Sequence, residues 1–252
     1  MHMKSVIFVC YPLFNVALCT IPGHYRIVGG HEASINEYPY QASIQFFGRH
    51  ACGGSILTDR FILTAAHCFE EDYPSKVTVR VGSSRRNSGG AVYDVDKIYI
   101  HPNFSDVTYD CDVALTRLKK PLVFGPSVKN VALPSKGTIV ADGLVAKASG
   151  WGQLFDEGPM SEMLQAVELP VISKDNCEIF YGHTVVSDNM FCAGYSFGGK
   201  DTCLGDSGGP LVVAGIQIGV TSWGGICADP NYPGVYVNIP VMRDYIDSVI
   251  YG

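Results

Sequence analysis

Between residues 40 and 239 the apolar positions rarely recur at helical spacing. They fall in short blocks rich in Val, Ile, Tyr and Thr: "YQASIQF", "GSILTDRFILTAA", "KVTVRVG", "VYDVDKIYI", "DVALTRL", "GLVAKASGWG", "AVELPVIS", "GPLVVAGIQIGVTSWG" and "GVYVNI". Gly, Pro, Asn and Asp separate the blocks at short intervals, which predicts an all-β barrel or sandwich. The best helical pattern is the C-terminal "PVMRDYIDSVIYG", where Val241, Tyr245 and Val249, with Ile246 and Ile250, fall on one face. Pro240 near its start and Gly252 at its end fit helix boundaries. Residues 83–90, "SSRRNSGG", read as a polar loop, and two halves of similar β character meet around "FGPSVKNVALPSKG", 124–137.

The N-terminus breaks this pattern. One Lys precedes an apolar stretch from Val6 to Leu18, then small residues around Ala17 and Cys19. That reads as a signal peptide over 1–19, cut after Cys19; a buried N-terminal segment is the alternative. Tyr11, Pro12 and Asn15 interrupt it too soon for a spanning helix, so the expectation is a secreted, extracellular protein without a membrane anchor. At 252 residues, 47% hydrophobic and 17% charged, the chain can bury a core without metals. The net charge of -6 and the lack of any Lys/Arg run longer than two argue against nucleic-acid binding. Of nine cysteines, Cys10 and Cys19 would leave with the leader, and the remaining seven imply disulfides with one thiol left over. No CxxC pair or His-rich tract suggests a metal site.

"DTCLGDSGGP", 201–210, crowds turn-forming residues around Ser207. A surface turn would account for that composition, and so would a nucleophile in a tight backbone cradle. Serine needs a base, an orienting group and donors for an oxyanion. "LTAAHCF" puts His67 at the end of an apolar strand, and "YDCDVALTRL" puts Asp112 at the head of another. Taken singly, these are an ordinary structural histidine and a strand-end cap.

In order, however, "TAAHC", "DVAL" and "GDSGGP" resemble the chymotrypsin/trypsin family of serine peptidases, whose triad runs His, Asp, Ser along the chain. "RIVGG", "CGGSIL", "SGWG", "MFCAG", "TSWG" and "PGVYVNI" extend the resemblance from about Ile27 to the C-terminus. The resemblance implies two six-stranded antiparallel β-barrels with the active site between them and a C-terminal α-helix. It implies that Ser207 is the nucleophile, His67 the general base and then acid, and Asp112 the group that orients the imidazole. The N–H groups of Gly205 and Ser207 would form the oxyanion hole, with Gly208 and Gly209 keeping bulk away. It further implies a zymogen with an activation peptide over 20–26, cut after Arg26, and a peptidase domain over 27–252. The freed amine of Ile27 would then pair with Asp206.

The same resemblance places Asp201 at the base of the primary pocket, so substrates are expected to be proteins or peptides cut after Arg or Lys. Gly224 and Gly234 would be the open pocket walls, and Ser222, Trp223 and Gly224 would line the substrate backbone. Thr202 and Leu204 stand where trypsins commonly carry Ser and Gln. They leave a broader chymotrypsin-like or collagen-cutting preference as the alternative, and Asp201 with its glycine walls argues against it. A non-catalytic homologue is the other alternative, but no triad residue is lost. The implied disulfides are Cys52–Cys68, Cys177–Cys192 and Cys203–Cys227, with Cys111 unpaired. Protein protease inhibitors are expected partners, the protein is expected to be a monomer without a cofactor or metal, and an enzyme cutting after Arg could activate itself at Arg26. Calcium-binding members carry acids in the loop that is basic here, around Arg85 and Arg86. "NFS" at Asn103 is a glycosylation sequon.

Overall fold

The computed structural model describes residues 27–69 and 74–252. The expected leader and activation peptide, 1–26, lie outside the described residues. The first barrel contains β2 (Gln41–Phe46), β3 (Arg49–Ile56), β4 (Phe61–Thr64), β5 (Val77–Val81), β6 (Ala91–Ile100) and β7 (Ala114–Leu118). It closes in the order β2-β3-β4-β7-β6-β5, with antiparallel neighbours throughout. The second contains β8 (Val145–Gly150), β9 (Gln165–Ile172), β10 (Met190–Ala193), β11 (Pro210–Val213), β12 (Ile216–Trp223) and β13 (Gly234–Asn238), and closes where β8 meets β9. A short β1 (His31–Glu32) adds to β9 beside the stretch that β10 leaves unpaired.

Side-chain alternation shows why these segments are strands. In β5, Val77, Val79 and Val81 are buried, whereas Thr78 and Arg80 are half-buried. Strand β4 and residues 113–115 at the start of β7 read as continuous apolar runs because both of their faces are covered. Ile62 and Ala114 point into the first barrel, whereas Leu63, Val113 and Leu115 pack against Val212, Val220 and Val237 of the second. The resulting apolar seam joins the barrels, and His67 and Asp112 stand at the ends of the strands that form it.

The C-terminal helix α2 (Ile239–Tyr251) caps the seam with Tyr245, Ile246, Val249 and Ile250 of the expected face, but with Ile239 and Met242 in place of Val241. Ile239, Met242 and Ile246 are buried, Tyr245, Val249 and Ile250 are partly buried, and Val241 is 46% exposed. Because β13 runs directly into the helix, Ile239 is already fixed in the core, and spacing by three and four carries burial to Met242 and Ile246. The sequence pattern did not give β1, β10, or α1 (Lys174–Tyr181), in which Cys177 alone is buried. The apolar block 209–224 is two strands, folded at Ala214 and Gly215, whose φ values of 48° and 83° suit a tight hairpin turn. Among the described residues, three disulfides, Cys52–Cys68, Cys177–Cys192 and Cys203–Cys227, leave Cys111 free and buried.

Candidate active site

His67 sits in a single 3-10 turn, Ala66–Cys68, just past β4. Its backbone N–H donates to Asp112 Oδ1 at 2.8 Å, and its Nδ1 lies 2.7 Å from Asp112 Oδ2. Asp112 is fully buried and also accepts the Ser222 hydroxyl at 2.5 Å. Three donors thus hold the carboxylate and fix the imidazole edge-on, with Tyr109 T-stacked 5.4 Å away.

Asp112 reaches this place through a kinked segment. Cys111 has φ 54°, and its carbonyl accepts the N–H of Val113 at 2.7 Å. The neighbouring Asp110 accepts from Ser187 Oγ at 2.5 Å and Asn189 Nδ2 at 2.9 Å, which ties the segment to the second barrel. Burial pushes the Cys111 thiol up to about 11, so it stays protonated and unreactive at neutral pH.

The loop carrying Ser207 is bolted between the barrels. Gly53 of β3 donates to the Ser207 carbonyl at 2.8 Å, and Gly208 donates to Thr221 at 2.7 Å. A Cβ at Gly208, whose φ is 78°, would lie 2.2 Å from Thr64 Oγ1, and one at Gly53 would lie 2.8 Å from Gly209. Glycine is required at both because the two barrels touch backbone to backbone beside the serine. Among the described residues, the N–H groups of Gly205 and Ser207 have no protein acceptor. Buried or half-buried amides normally find one, so this pair is a ready anion site. Ser207 and His67 line the same two cavities, and no hydrogen bond joins hydroxyl to imidazole; such bonds commonly tighten only when substrate arrives.

One cavity, of about 350 Å³, has Asp201 among its lining residues, with Thr202, Ser222, Trp223, Gly224 and Gly234. Asp201 is 5% exposed and accepts the N–H groups of Thr202 at 2.8 Å and Ala228 at 3.1 Å. Its burial lifts the carboxyl to about 7. A Cβ at Gly234 would sit 2.9 Å from Asp201 Oδ1, and one at Gly224 would be 3.7 Å from Gly234 Cα, so side chains there would close the well. The Thr202 hydroxyl bonds Tyr236 OH at 3.0 Å rather than standing alone. Leu204 is 62% exposed at the rim.

Behind the serine, Asp206 is buried and accepts from Gly152 and Cys203 N–H groups at 2.8 and 3.0 Å. No cation pairs with it among the described residues, and burial raises it to about 6. Ile27 is fully buried in the second barrel, and the Val28 carbonyl accepts the N–H of Asp201 at 3.1 Å. The start of the described chain therefore touches the pocket floor. Arg26 lies outside the described residues.

His50 was missed in the sequence. Burial lowers it to about 4, so it is neutral: its Nε2–H donates to the Gly205 carbonyl at 2.9 Å and its Nδ1 accepts from Ser43 Oγ at 2.8 Å. It thereby fixes the carbonyl of Gly205, the residue whose own N–H belongs to the anion site. The polar loop is likewise fastened: Arg86 pairs with Glu162 at 2.5 Å, while Arg85 is exposed.

The trypsin family model matches residues 27–246. The chain is 40% identical over 226 residues to a protein named trypsin from Phaedon cochleariae, with 88% of each chain covered. It is 42% identical over 226 residues to trypsin 5G1 of Aedes aegypti, covering 89% of this chain and 85% of that one. It is 38% identical over 252 residues to a vitellin-degrading protease of Bombyx mori, covering 98% and 96%.

Proposed function

The chain belongs to the trypsin family of serine peptidases and is an endopeptidase, and from that premise we propose that it cuts after Arg or Lys and is secreted as a zymogen for digestive proteolysis. The observation that carries the specificity is the carboxylate of Asp201, buried among the lining of a cavity that also contains Ser207 and His67. Only a cationic side chain compensates a buried carboxylate in such a well. Profiling activated protein on matched substrates with Arg, Lys, Phe or Leu before the scissile bond tests it: Arg and Lys are expected to dominate, and equal cleavage after Phe or Leu rejects it.

In the proposed reaction Ser207 Oγ attacks the carbonyl carbon while His67 Nε2 takes its proton. Asp112 keeps Nδ1 protonated and balances the imidazolium. The oxyanion moves onto the N–H groups of Gly205 and Ser207. As the tetrahedral intermediate collapses, His67 gives the proton to the leaving amine, and an acyl-Ser207 remains. Water, deprotonated by His67, then releases the acid and restores the serine.

The raised Asp201 gives a pH signature. In the free pocket the carboxyl is half-protonated near 7, and a bound cation requires the ionised form. Affinity for benzamidine, a cationic arginine mimic, is therefore expected to weaken about tenfold per pH unit below 7 and to level off above it. Affinity that stays constant from pH 8 to pH 5 contradicts this.

Activation follows from Asp206. In the uncut chain its raised carboxyl favours the protonated form, so this group's contribution to stability is full below 3.8 and is lost as pH rises through about 6, on the order of 3 kcal/mol. Cleavage after Arg26 creates the Ile27 ammonium, which is proposed to pair with Asp206 and hold the 199–206 segment in order. Thermal melts are expected to show the uncut chain losing stability between pH 4 and pH 6, the Asp206→Asn chain not doing so, and the cut chain not doing so either. An identical decline in all three rules the pairing out.

A further inference from the structure

We propose that Asp110 is a positioning residue for the triad: through Ser187 and Asn189 it locks the segment carrying Asp112 to the sheet of the second barrel that holds the Ser207 loop. The proposal rests on His67, Asp112 and Ser207 being the catalytic residues. His67 and Asp112 belong to the first barrel, and Ser207 lies on the loop that enters β11 of the second. Their alignment therefore depends on how firmly the two halves are held together. The apolar seam drives the barrels into contact but has no direction, whereas hydrogen bonds fix orientation.

The segment needs such a hold. Tyr109 and Cys111, on either side of Asp110, have φ values of 55° and 54°. Left-handed backbone is unfavourable for residues with a Cβ and persists where the surroundings impose it. Within the segment, the N–H of Tyr109 donates to the Ser105 carbonyl at 2.8 Å, and the N–H of Ser105 donates to the Asp110 carbonyl at 3.1 Å. These bonds shape the turn without leaving the first barrel. The Asp110 side chain makes the crossing. Its Oδ1 accepts Ser187 Oγ at 2.5 Å and Asn189 Nδ2 at 2.9 Å, and Asn189 Nδ2 also donates to the Cys111 sulfur at 3.4 Å.

The far end of the crossing is part of the sheet. Ser187 and Asn189 stand just before β10, which the Cys177–Cys192 disulfide ties to α1. The Asn189 carbonyl accepts the N–H of Asn238, at the end of β13, at 2.8 Å. Strand β13 pairs with β12, with Tyr236 opposite Thr221, and the Thr221 carbonyl accepts the N–H of Gly208, next to the nucleophile. A run of hydrogen bonds thus leads from Asp110 through Asn189, β13 and β12 to the serine loop. Ser222 of β12 binds Asp112 itself, so the segment is held to one sheet at two points. Asp110 lines neither of the two cavities beside Ser207, and its loss is expected to act on the reaction step, not on substrate binding.

The test is steady-state kinetics of activated variants on one arginine peptide, with benzamidine affinity measured beside it. A displacement of about 1 Å at a catalytic group costs on the order of a hundredfold in rate, so Asp110→Ala is expected to lower kcat about thirtyfold. KM and benzamidine affinity are expected to change less than about twofold, because a group that acts only on the reaction step leaves binding alone. Both bonds fall on Oδ1, so Asp110→Asn keeps them and is expected to hold kcat within about threefold. Asn189→Ala is expected to lower kcat as well, and the Asp110→Ala, Asn189→Ala double variant to lose little more than Asp110→Ala alone. An unchanged kcat in Asp110→Ala, an equal loss in Asp110→Asn, additive losses in the double variant, or a parallel loss of benzamidine affinity overturns the proposal. If Asp110→Ala does not fold, Asn189→Ala is judged by the same kcat and benzamidine criteria. Absence of peptide hydrolysis by the unaltered activated protein instead overturns the catalytic reading beneath it.

Discussion

Asp112→Asn is expected to lower kcat by about four orders of magnitude with little change in KM or fold, a size already established for triads of this type rather than obtained from the present geometry. The reason lies in the three donors converging on the carboxylate. Asp112 accepts from the His67 backbone, from His67 Nδ1 and from the Ser222 hydroxyl, and it is fully buried. Asparagine matches it in volume, so the seam between the barrels stays packed. Its amide nitrogen, however, cannot accept. Turned toward His67 it donates to Nδ1 and stabilises the tautomer whose proton sits on Nε2. That tautomer cannot take a proton from Ser207. Steady-state kinetics on one arginine substrate, with circular dichroism as the fold control, checks this. A loss below tenfold would mean that the His67–Asp112 pair is structural.

The second large effect is expected at the specificity well. Asp201→Ser is expected to reduce kcat/KM for arginine substrates by about 2–5 kcal/mol, the cost of removing one partner from a desolvated charge pair. That is roughly one and a half to three and a half orders of magnitude. The buried carboxylate has two backbone donors and no cation among the described residues, so its compensation must come from the substrate. Serine keeps an acceptor for the Thr202 or Ala228 amide and leaves the glycine walls open. Reaction with an organophosphonate that does not use the well should therefore persist. Unchanged hydrolysis of an arginine ester by this variant would reject the role given to Asp201.

Much of the fold was legible because its information is local. The strands of both barrels, apart from β10, announce themselves as apolar, largely β-branched blocks between turn residues. "FILTAA" and "DVAL" also look unbroken for a reason visible in three dimensions, since β4 and the start of β7 are covered on both faces by the barrel core and the seam. The candidate site residues could be singled out because each sits in a short motif whose neighbours, such as Gly205 and Gly208, carry the backbone demands of the loop. What was hidden depends on distant partners. His50 touches Gly205 across 155 positions, and Asp110 meets Ser187 and Asn189 across 77 and 79. No spacing rule connects such pairs. On α2 only Val241 was misplaced, because Ile239, fixed by β13, draws the buried face toward Met242. Helix α1 was missed because one buried cysteine leaves almost no amphipathic pattern.

The account depends on the hydroxyl of Ser207 becoming a nucleophile beside His67. The most direct measurement is active-site titration of the cleaved protein with a fluorescently tagged phosphonate, followed by mass mapping of the adduct. One tag per chain on Ser207, lost in Ser207→Ala and strongly slowed in His67→Ala, is the expected result. Continued peptide hydrolysis with no adduct, or an adduct on another residue, would contradict it.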